Sequence, residues 1–306
     1  MAGNKSLEGK VVIVTGAGRG IGREIALLCA AEGAKVVVND PGGAADGSGA
    51  SAAPAEEVAQ EIIKRGGTAA ANFETVAEAI PASKIVQMAV DKFGRLDGVV
   101  NNAGILRDAI FHRMSVDAFE QVIKVHLMVS FYVAHAAARL FREQQSGSFV
   151  HFTSTSGLVG NFGQANYAAA KLGIVGLSKS IALDMQRFNV RSNCVSPFAW
   201  SRLIGTIPTE TPEEQARVAK IQQMGPEKIA PVVGYLLSDV AKDVTGQIFA
   251  VRMNEVFLMS QSRPLRSVHR AEGWTVDSLA QHGMPAMKSS FYPLDRSADI
   301  FNWDAI

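Results

Sequence analysis

A tyrosine and a lysine stand four residues apart in a strongly helical part of the sequence, at Tyr167 and Lys171. On a helix this spacing puts both side chains on one face, a turn apart. A phenol with a pKa of about 10 is a poor base at neutral pH, but a nearby ammonium stabilises the phenolate and lowers that pKa. The pair therefore indicates acid–base chemistry, although such a pair taken alone is more typical of an ordinary amphipathic helix.

A serine upstream of this pair adds a third chemical group. Ser154 ends a predicted strand shortly before Tyr167. Ligands of open α/β sheets bind at the carboxyl ends of the strands, where this hydroxyl can hydrogen-bond a substrate oxygen. We therefore predict that Ser154, Tyr167 and Lys171 are the catalytic residues.

The string TGAGRGIG, residues 15–22, is a glycine-rich loop between a predicted strand and a predicted helix. Gly16, Gly20 and Gly22 allow a tight turn and close backbone approach to a pyrophosphate, and a helix N-terminus favours negative charge. Such a loop alone is weak evidence, since a glycine-rich turn without a ligand has the same composition. In this strand–loop–helix context it predicts a dinucleotide site.

Two charged residues bear on which dinucleotide is bound. Asp40 follows the second predicted strand, where a carboxylate accepts hydrogen bonds from the adenosine ribose and repels a 2′-phosphate. Arg19, inside the glycine loop, favours the opposite choice because its guanidinium can pair with that phosphate. We give Asp40 more weight and predict NAD as the cofactor, with NADP as the alternative.

Short apolar runs, rich in β-branched residues, alternate with stretches of helical periodicity along most of the chain. The predicted strands cover residues 11–14, 36–38, 68–73, 98–100, 148–153, 190–196 and 247–251. The predicted helices cover about residues 21–31, 54–65, 79–93, 117–143 and 165–187. Continuous apolar strands separated by helices predict a parallel sheet covered on both faces. The expected fold is therefore α/β: a Rossmann-like, doubly wound parallel sheet of seven strands.

Three segments depart from this alternation. Residues 41–54 are rich in Gly, Ala and Pro and predict a surface loop, and residues 198–225 predict a mobile flap beyond the sixth strand. We divide the chain into a dinucleotide-binding catalytic domain over residues 1–251 and a C-terminal extension over residues 252–306. We expect the extension to add a strand and a helix that cover the substrate mouth or a neighbouring subunit.

With these motifs the chain resembles the short-chain dehydrogenase/reductase family over about residues 8–251. The resemblance rests on TGAGRGIG, on NNAG at residues 101–104, on the Ser154, Tyr167 and Lys171 set, and on Pro197 after the sixth predicted strand. Within the family, the strings VVVND, NNAGILRD and GNFGQANY are most similar to the (3R)-hydroxyacyl-CoA dehydrogenase domains of peroxisomal multifunctional enzymes. Bacterial relatives of those domains act on acyl-CoA and steroid side-chain thioesters.

The resemblance implies a role for each matching residue. Tyr167 would exchange a proton with the substrate, Lys171 would lower the Tyr167 pKa and hold the nicotinamide ribose, and Ser154 would stabilise the developing alkoxide. The remaining cofactor contacts would come from the glycine loop and from the ends of other strands: Gly16, Arg19, Gly20, Ile21, Gly22, Asp40, Thr75, Val76, Asn102, Ala103, Gly104, Pro197 and the main chain of residues 199–202.

Two positions differ from the common family pattern. His126 stands where many members have an asparagine that anchors a proton-relay water, and Phe198 replaces the glycine that usually follows the proline. A lone helical histidine is more often satisfied by hydrogen bonds than catalytic. We therefore favour a backbone hydrogen bond for His126, with proton relay as the alternative.

Composition excludes several other classes of protein. The 306 residues are 47% hydrophobic, and 30 basic against 29 acidic residues leave a net charge of +1, which argues against disorder and against a nucleic-acid binder. The two cysteines and the scattered histidines show no metal-ligand spacing, so we expect no metal. The sequence shows neither a secretory signal nor an apolar run long enough for a membrane span, so we expect a cytoplasmic protein.

The sequence thus predicts an NAD-dependent dehydrogenase that oxidises a secondary hydroxyl to a ketone on a (3R)-hydroxyacyl-CoA or steroid-derived substrate. An NADP-linked 3-oxoacyl reductase and a dinucleotide-binding regulator without turnover stay open as alternatives. The small residues of helices 117–143 and 165–187, with the family resemblance, favour a homodimer or homotetramer.

Overall fold

The strands expected from the sequence all form, with ends shifted by a residue or two. The structure is a computed structural model that describes residues 5–43, 49, 51–199 and 211–305. Its strands are β1 (Val11–Thr15), β2 (Lys35–Asn39), β3 (Thr68–Asn72), β4 (Gly98–Asn101), β5 (Gly147–Phe152), β6 (Val190–Phe198), β7 (Ile248–Arg252) and β8 (Glu255–Leu258). The first seven pair in parallel, whereas β8 pairs with β7 in the antiparallel direction.

Helices connect the parallel strands. They are α1 (Gly20–Ala31), α2 (Ala53–Lys64), α3 (Ala79–Phe93), α4 (Val116–Ile123), α5 (Val129–Gln144), α6 (Thr155–Leu158), α7 (Ala165–Met185), α8 (Pro212–Gln222) and α9 (Ala230–Leu237). Beyond β8 follow α10 (Val276–Ser278), α11 (Met284–Lys288) and α12 (Ser297–Ile300). Among the described residues, no helix is both long and apolar enough to cross a membrane.

The strand order within the described sheet is β3-β2-β1-β4-β5-β6-β7-β8. The chain runs outward from β1 to β3 and then returns to β4 on the other side of β1. This order creates a topological switch point between β1 and β4, and crevices at such points bind ligands in doubly wound sheets. The predicted doubly wound fold is confirmed, and the C-terminal extension adds the eighth strand at one edge.

Alternating side chains of each strand enter two separate cores. Val12 and Val14 of β1 pack with α1, α2 and α9, while Val11 and Ile13 pack with α3 and α5 on the opposite face. These side chains are fully buried. Both faces of a parallel sheet are therefore covered, which explains why its strands are continuous apolar runs.

Two elements differ from the sequence prediction. The helix expected over residues 117–143 is divided into α4 and α5 by a π-helical turn, Lys124–Met128, and such turns are frequent at functional sites. Pro197 lies within β6 rather than after it. The pairing of β6 with β5 ends at Val195, so Pro197, which has no N–H to donate, leaves no bond to β5 unmade.

The flanking segments are described in part. Of the loop predicted over residues 41–54, positions 44–48 and 50 lie outside the described residues, and α2 begins at the loop's end. Residues 200–210 of the predicted flap also lie outside them, and α8 follows. The sequence analysis assigned no element to α9, although this helix covers the sheet beside α1 with buried Val233 and Leu236.

Candidate active site

The glycine loop joins β1 to α1 at the switch point and packs closely against the end of β4. Gly16 has φ +63°, and a Cβ built there would lie 2.9 Å from the Cα of Ala103. A Cβ at Gly22 would overlap the carbonyl oxygen of Gly16. Gly20 also has a positive φ, +54°, but a Cβ there would have no atom within 4 Å. The loop therefore packs closely against the end of β4 at Gly16 and leaves open space above the start of α1 at Gly20.

Asn102 and Thr15 fix the shape of this loop. The Asn102 amide donates to the carbonyl oxygens of Thr15 and Gly16, both at 3.1 Å. The Thr15 hydroxyl oxygen accepts from the backbone N–H groups of Asn102 at 3.1 Å and of Ala103 at 3.3 Å. The sequence analysis expected Asn102 at the adenosine side of the cofactor; its amide holds the loop from below. Thr15, the first letter of the motif string, was not singled out.

Asp40 lies beside the glycine loop at the carboxyl end of β2. Its carboxylate accepts the backbone N–H of Gly18 at 2.9 Å and that of Gly42 at 2.7 Å. A carboxylate has further lone pairs with which to accept hydroxyl groups. The Arg19 side chain on the same loop is exposed. Both residues that bear on the choice between NAD and NADP therefore lie at one edge of the crevice.

The other predicted cofactor residues lie along the same carboxyl edge. The Thr75 hydroxyl oxygen accepts the N–H of Ala77 at 3.2 Å, and Val76 is buried in the core beneath this turn. Ile21 is partly buried in the first turn of α1, and Gly104 is exposed above the ring of His126. Of the predicted main-chain contacts at residues 199–202, only Ala199 is described, and it is buried.

Lys171 and Thr153 connect α7 to the end of β5. The Lys171 ammonium donates to the carbonyl oxygen of Phe152 at 2.7 Å, and the Thr153 hydroxyl donates to the carbonyl oxygen of Lys171 at 2.7 Å. The Lys171 nitrogen lies 5.4 Å from the centre of the Tyr167 ring. Because Thr153 and Lys171 are both buried, Lys171 is held firmly at the base of the site.

Ser154 and Tyr167 meet at the carboxyl edge, as their positions in the sequence predict. The Ser154 hydroxyl is close enough to the Tyr167 phenol to lower the pKa of that phenol. Ser154 is also the N-cap of α6, where its hydroxyl oxygen accepts the N–H of Ser156 at 3.2 Å. The structure thus brings Ser154, Tyr167 and Lys171 into one group.

Burial dominates the titration of this group in the ligand-free protein. It raises the pKa of Tyr167 to about 12; the Ser154 hydroxyl opposes this shift, and the charge of Asp108 reinforces it. Burial also lowers the pKa of Lys171 to about 7. The direction for Tyr167 is opposite to the one expected from its spacing to Lys171. The Tyr167 phenol is therefore protonated at neutral pH.

His126 lies in the π-helical turn and is buried beneath the site. Its Nε2 is 2.8 Å from the carbonyl oxygen of Ile105 and 3.2 Å from the backbone nitrogen of the same residue. We assign the ring proton to Nε2 because the carbonyl oxygen, which can only accept, is the nearer partner. Its ring meets that of Tyr167 edge-on, with centroids 5.1 Å apart. Burial lowers the pKa of His126, so the ring is neutral. The backbone hydrogen bond favoured for His126 is present.

A chain of polar side chains beside Tyr167 escaped the sequence analysis. Gln164 donates to the Asp108 carboxylate at 2.8 Å and accepts the hydroxyl proton of Ser156 at 2.8 Å. Desolvation raises the pKa of Asp108, and the bond from Gln164 opposes the shift. Asn166, which is buried, donates to the carbonyl oxygens of Arg107 and Ala118. The strings NNAGILRD and GNFGQANY contain these residues, but nothing in their spacing shows that they meet.

The geometry fits a dinucleotide and does not indicate a metal. The glycine loop leaves open space at the N-terminus of α1, where backbone N–H groups attract a pyrophosphate. Within the described part of the chain, no group of three or more His, Cys, Asp or Glu side chains could hold a metal ion. The site therefore combines a phosphate-binding loop with a Ser–Tyr–Lys group at neighbouring strand ends.

A fold and site of this kind define a dinucleotide-dependent oxidoreductase. The sequence pattern of the short chain dehydrogenase family matches residues 10–201, which is more than half of the chain. The chain belongs to this family, whose members act on CH–OH groups, and the resemblance stated from the motifs is confirmed.

Two relatives set this chain within the family. A protein of Mycobacterium tuberculosis described as a short-chain type dehydrogenase/reductase is 48% identical over 238 residues, which cover 78% of this chain and 80% of that protein. The peroxisomal multifunctional enzyme type 2 of Mus musculus is 41% identical over 270 residues. That match covers 88% of this chain but only 35% of the mouse enzyme, so this chain is similar to one part of a much longer protein.

Two solved structures resemble the fold closely. A short chain dehydrogenase from Mycobacterium avium superposes with a TM-score of 0.82 at 36% identity, covering 94% of this chain and 97% of that one. A 7α-hydroxysteroid dehydrogenase in complex with NADH and 7-oxo glycochenodeoxycholic acid superposes with a TM-score of 0.73 at 30% identity. The latter match covers 82% of this chain and 96% of the steroid dehydrogenase.

Proposed function

We propose that this protein is an NAD-dependent dehydrogenase that oxidises a secondary hydroxyl group to a ketone on a (3R)-hydroxyacyl-CoA or a steroid-derived substrate. The observation that carries the proposal is the grouping of three side chains at the carboxyl edge: Ser154 acts on the pKa of Tyr167, and the Lys171 ammonium lies 5.4 Å from the centre of the Tyr167 ring. This group lies at the carboxyl edge of the sheet that also holds the glycine loop.

In this proposal the protein supplies orientation and proton transfer. A bound nicotinamide would accept the hydride from the carbinol carbon. The Tyr167 phenolate takes the hydroxyl proton, so that the alcohol loses one hydride and one proton and becomes a ketone. Ser154 donates a hydrogen bond to the substrate oxygen and stabilises the negative charge that develops there. Lys171 holds the nicotinamide ribose and supplies positive charge near the phenol.

Several residues would hold the cofactor. The glycine loop, from Gly16 to Gly22, would bind the pyrophosphate, and Asp40 would bind the adenosine ribose. Thr75, Val76 and the backbone of residues 102–104 would line the adenosine side, and Pro197 the nicotinamide side. The NADH-bound steroid dehydrogenase that superposes on this chain supports the choice of NAD.

The protonation state of Tyr167 gives the reaction a direction-dependent pH profile. Since the pKa of Tyr167 is raised to about 12 in the free protein, the neutral phenol is ready to donate a proton to a ketone, whereas oxidation requires the phenolate. The rate of alcohol oxidation should therefore rise as pH increases above neutral. The rate of ketone reduction should stay level or fall over the same range. Initial rates measured in both directions from pH 6 to pH 10 test this.

A substrate panel tests the proposal most broadly. The protein would be assayed with NAD and separately with NADP over (3R)-hydroxyacyl thioesters, hydroxysteroids and simple secondary alcohols. We expect turnover with NAD, highest for the thioesters or the steroids. Preference for NADP would point to the 3-oxoacyl reductase alternative, which the exposed Arg19 favours. Dinucleotide binding without turnover on any substrate would point to the regulator alternative.

We also propose that the protein assembles into a dimer or tetramer through α5 and α7. Phe131 of α5 and Leu172 and Leu183 of α7 have large exposed apolar side chains, at 41%, 53% and 71% exposure. Burial of such side chains against a second copy removes apolar surface from water. Sedimentation of the wild type and of Leu172→Glu measures the assembly, and a monomeric wild type would refute it.

A further inference from the structure

The C-terminal extension returns to the turn that carries the catalytic serine. At the start of α12, the Ser297 hydroxyl lies 2.6 Å from the hydroxyl oxygen of Thr155, the residue after Ser154. The backbone N–H of Ser297 donates to the carbonyl oxygen of Gly160 at 2.9 Å. Ser297 and Thr155 are only 9% and 7% exposed. A buried pair of hydrogen bonds therefore ties the extension to the segment between Ser154 and Tyr167.

The same extension then reaches the other side of the site. The Phe301 ring packs against Phe198, which follows Pro197 at the end of β6, with centroids 4.8 Å apart. It also meets Phe257 of β8 at 5.3 Å. Phe301 is only half-buried in this cluster. An apolar cluster thus stands beside the strand end where Pro197 would meet the nicotinamide.

Arg252 at the end of β7 anchors this arrangement. Its side chain is 5% exposed and donates from Nη1 to the carbonyl oxygen of Phe301 at 3.2 Å. Its guanidinium carbon lies 4.7 Å from the centre of the Trp303 ring, a geometry that attracts a cation to an aromatic face. The extension is therefore fixed to the sheet itself and does not depend on surface contacts alone.

We propose that residues 295–303 form the specificity-determining wall of the substrate site. In this wall, Ser297 is a positioning residue for the Ser154 turn, and Phe301 contacts the apolar body of the substrate. The segment connects the turn after β5, which carries Ser154, with the end of β6. The inference rests on the proposed function, because it assigns the parts of the substrate to the parts of that same site.

Substitution of Ser297 and substitution of Phe301 should change different kinetic constants. Without its hydroxyl, Ser297 no longer holds Thr155, so Ser154 is less well oriented toward the reacting oxygen. Ser297→Ala should therefore lower kcat about fivefold, by a similar factor for every substrate. Phe301→Ala should raise KM about tenfold for long acyl thioesters or steroids and leave KM for a small secondary alcohol unchanged. Neither change should alter the NADH affinity, measured by tryptophan fluorescence quenching.

Matched variants separate positioning from general damage. Ser262→Ala changes an exposed serine of the same extension and should keep wild-type kinetics. Thr155→Val removes the partner hydroxyl and should reproduce the loss of Ser297→Ala, whereas Thr155→Ser retains the hydroxyl and should restore kcat. The double variant Ser297→Ala with Thr155→Val should be no slower than either single variant. If Ser297→Ala fails to fold, the two Thr155 variants still give the comparison.

The outcomes distinguish this inference from the proposed function. Suppose that the wild type turns over its substrates, but that Ser297→Ala and Phe301→Ala match Ser262→Ala in kcat and KM. Then residues 295–303 do not form a wall of the substrate site, and the dehydrogenase assignment stands. A loss by Thr155→Ser equal to that of Thr155→Val would likewise overturn the positioning role of Ser297. If the wild type binds NADH but has no turnover on any substrate, the proposed function itself is wrong.

Discussion

The carboxyl edge of the sheet has two halves, named here for their proposed roles, and they are built in different ways. The cofactor half comprises the glycine loop, Asp40 and the end of β4, and the substrate half comprises Ser154, Tyr167 and residues 295–303. On the cofactor half, the shape of the site depends on backbone atoms: Gly16 and Gly22 leave no room for a side chain, and Asn102 bonds to backbone carbonyls. On the substrate half, the shape depends on side chains from distant parts of the chain, such as Ser297 against Thr155 and Phe301 against Phe198.

This difference determines which substitutions each half can tolerate. A backbone cradle tolerates few substitutions and suits a ligand that does not change, such as a pyrophosphate. A wall of side chains can be altered one residue at a time, which suits a substrate that differs between family members. We therefore expect substitutions on the cofactor half, and of residues such as Ser297 that position the reacting groups, to act on all substrates alike. Substitutions of side chains that would contact the body of the substrate, such as Phe301, should act selectively.

The largest expected effect on stability comes from the region between the two halves, where Asn101 of β4 pairs with His151 of β5. The two side chains are 3.2 Å apart and buried, and burial lowers the pKa of His151 to about 4. Below pH 6.5 the unfolded chain binds a proton at this residue that the folded chain does not bind. The free energy of unfolding should therefore fall by up to about 3 kcal/mol as pH drops from 6.5 to 4, and stay level above that range.

Urea unfolding at a series of pH values measures this dependence. His151→Gln, which does not titrate, should make the acid side of the curve less steep even if it lowers the stability at neutral pH. Part of the slope should remain, because burial lowers the pKa of His126 as well. His135→Gln serves as a control because His135 lies exposed on the outer face of α5. An unchanged acid slope in His151→Gln would show that the charge of His151 does not control the acid stability.

Within the cofactor half, Gly22→Ala should have the largest effect. Its Cβ would overlap the Gly16 carbonyl oxygen, so the loop must shift. We expect NADH affinity to fall about thirtyfold, the equivalent of about 2 kcal/mol of overpacking. Gly176→Ala is the matched control, since this helical glycine has open space at its Cβ position. Equal NADH affinity in both variants would contradict the proposal that the glycine loop binds the dinucleotide.

Asp40→Asn should change the choice of cofactor and leave the choice of substrate as it is. The amide oxygen can still accept the N–H of Gly18, but the NH2 group cannot accept the N–H of Gly42, and the negative charge is gone. We expect the ratio of NAD to NADP affinity to fall about tenfold, because repulsion of the 2′-phosphate is removed. Adding Arg19→Ala should then weaken NADP again. A ratio unaffected by Asp40→Asn would remove the basis for preferring NAD.

The smallest expected effect belongs to Asp108 on the substrate half. Its charge helps to raise the pKa of Tyr167, so Asp108→Asn should move the pH profile of alcohol oxidation toward lower pH. At neutral pH the oxidation rate should rise by no more than a few fold, since burial is the larger cause. Asp117→Asn, an exposed carboxylate on α4, is the control. A shift of the oxidation profile to higher pH in Asp108→Asn would contradict the conclusion that Asp108 raises the pKa of Tyr167.

The sequence predicted where the proposed cofactor residues lie in the fold, but it did not predict the contacts of the substrate half. The glycine loop, Asp40 and the strand ends follow local rules of strand, turn and helix, so the positions of Gly16, Gly22 and Asn102 could be read from short strings. The meeting of Ser154 with Tyr167 also follows from strand order and helix spacing. These contacts need no knowledge of distant packing.

Other features depend on contacts that no local pattern reveals. Ser297 and Thr155 are 142 residues apart in the sequence. The raised pKa of Tyr167 arises from burial, which its spacing to Lys171 does not show. The π-helical turn at His126 breaks a helix whose periodicity appeared continuous. Each of these depends on tertiary packing around the substrate half.

The most direct test of the central claim is the turnover of Tyr167→Phe together with its affinity for NADH. The account assigns proton transfer to the Tyr167 hydroxyl and cofactor binding mainly to other groups. It predicts that kcat falls by a factor on the order of 100 to 10,000, while the NADH dissociation constant stays within about twofold of the wild-type value. Wild-type turnover in this variant would contradict the account.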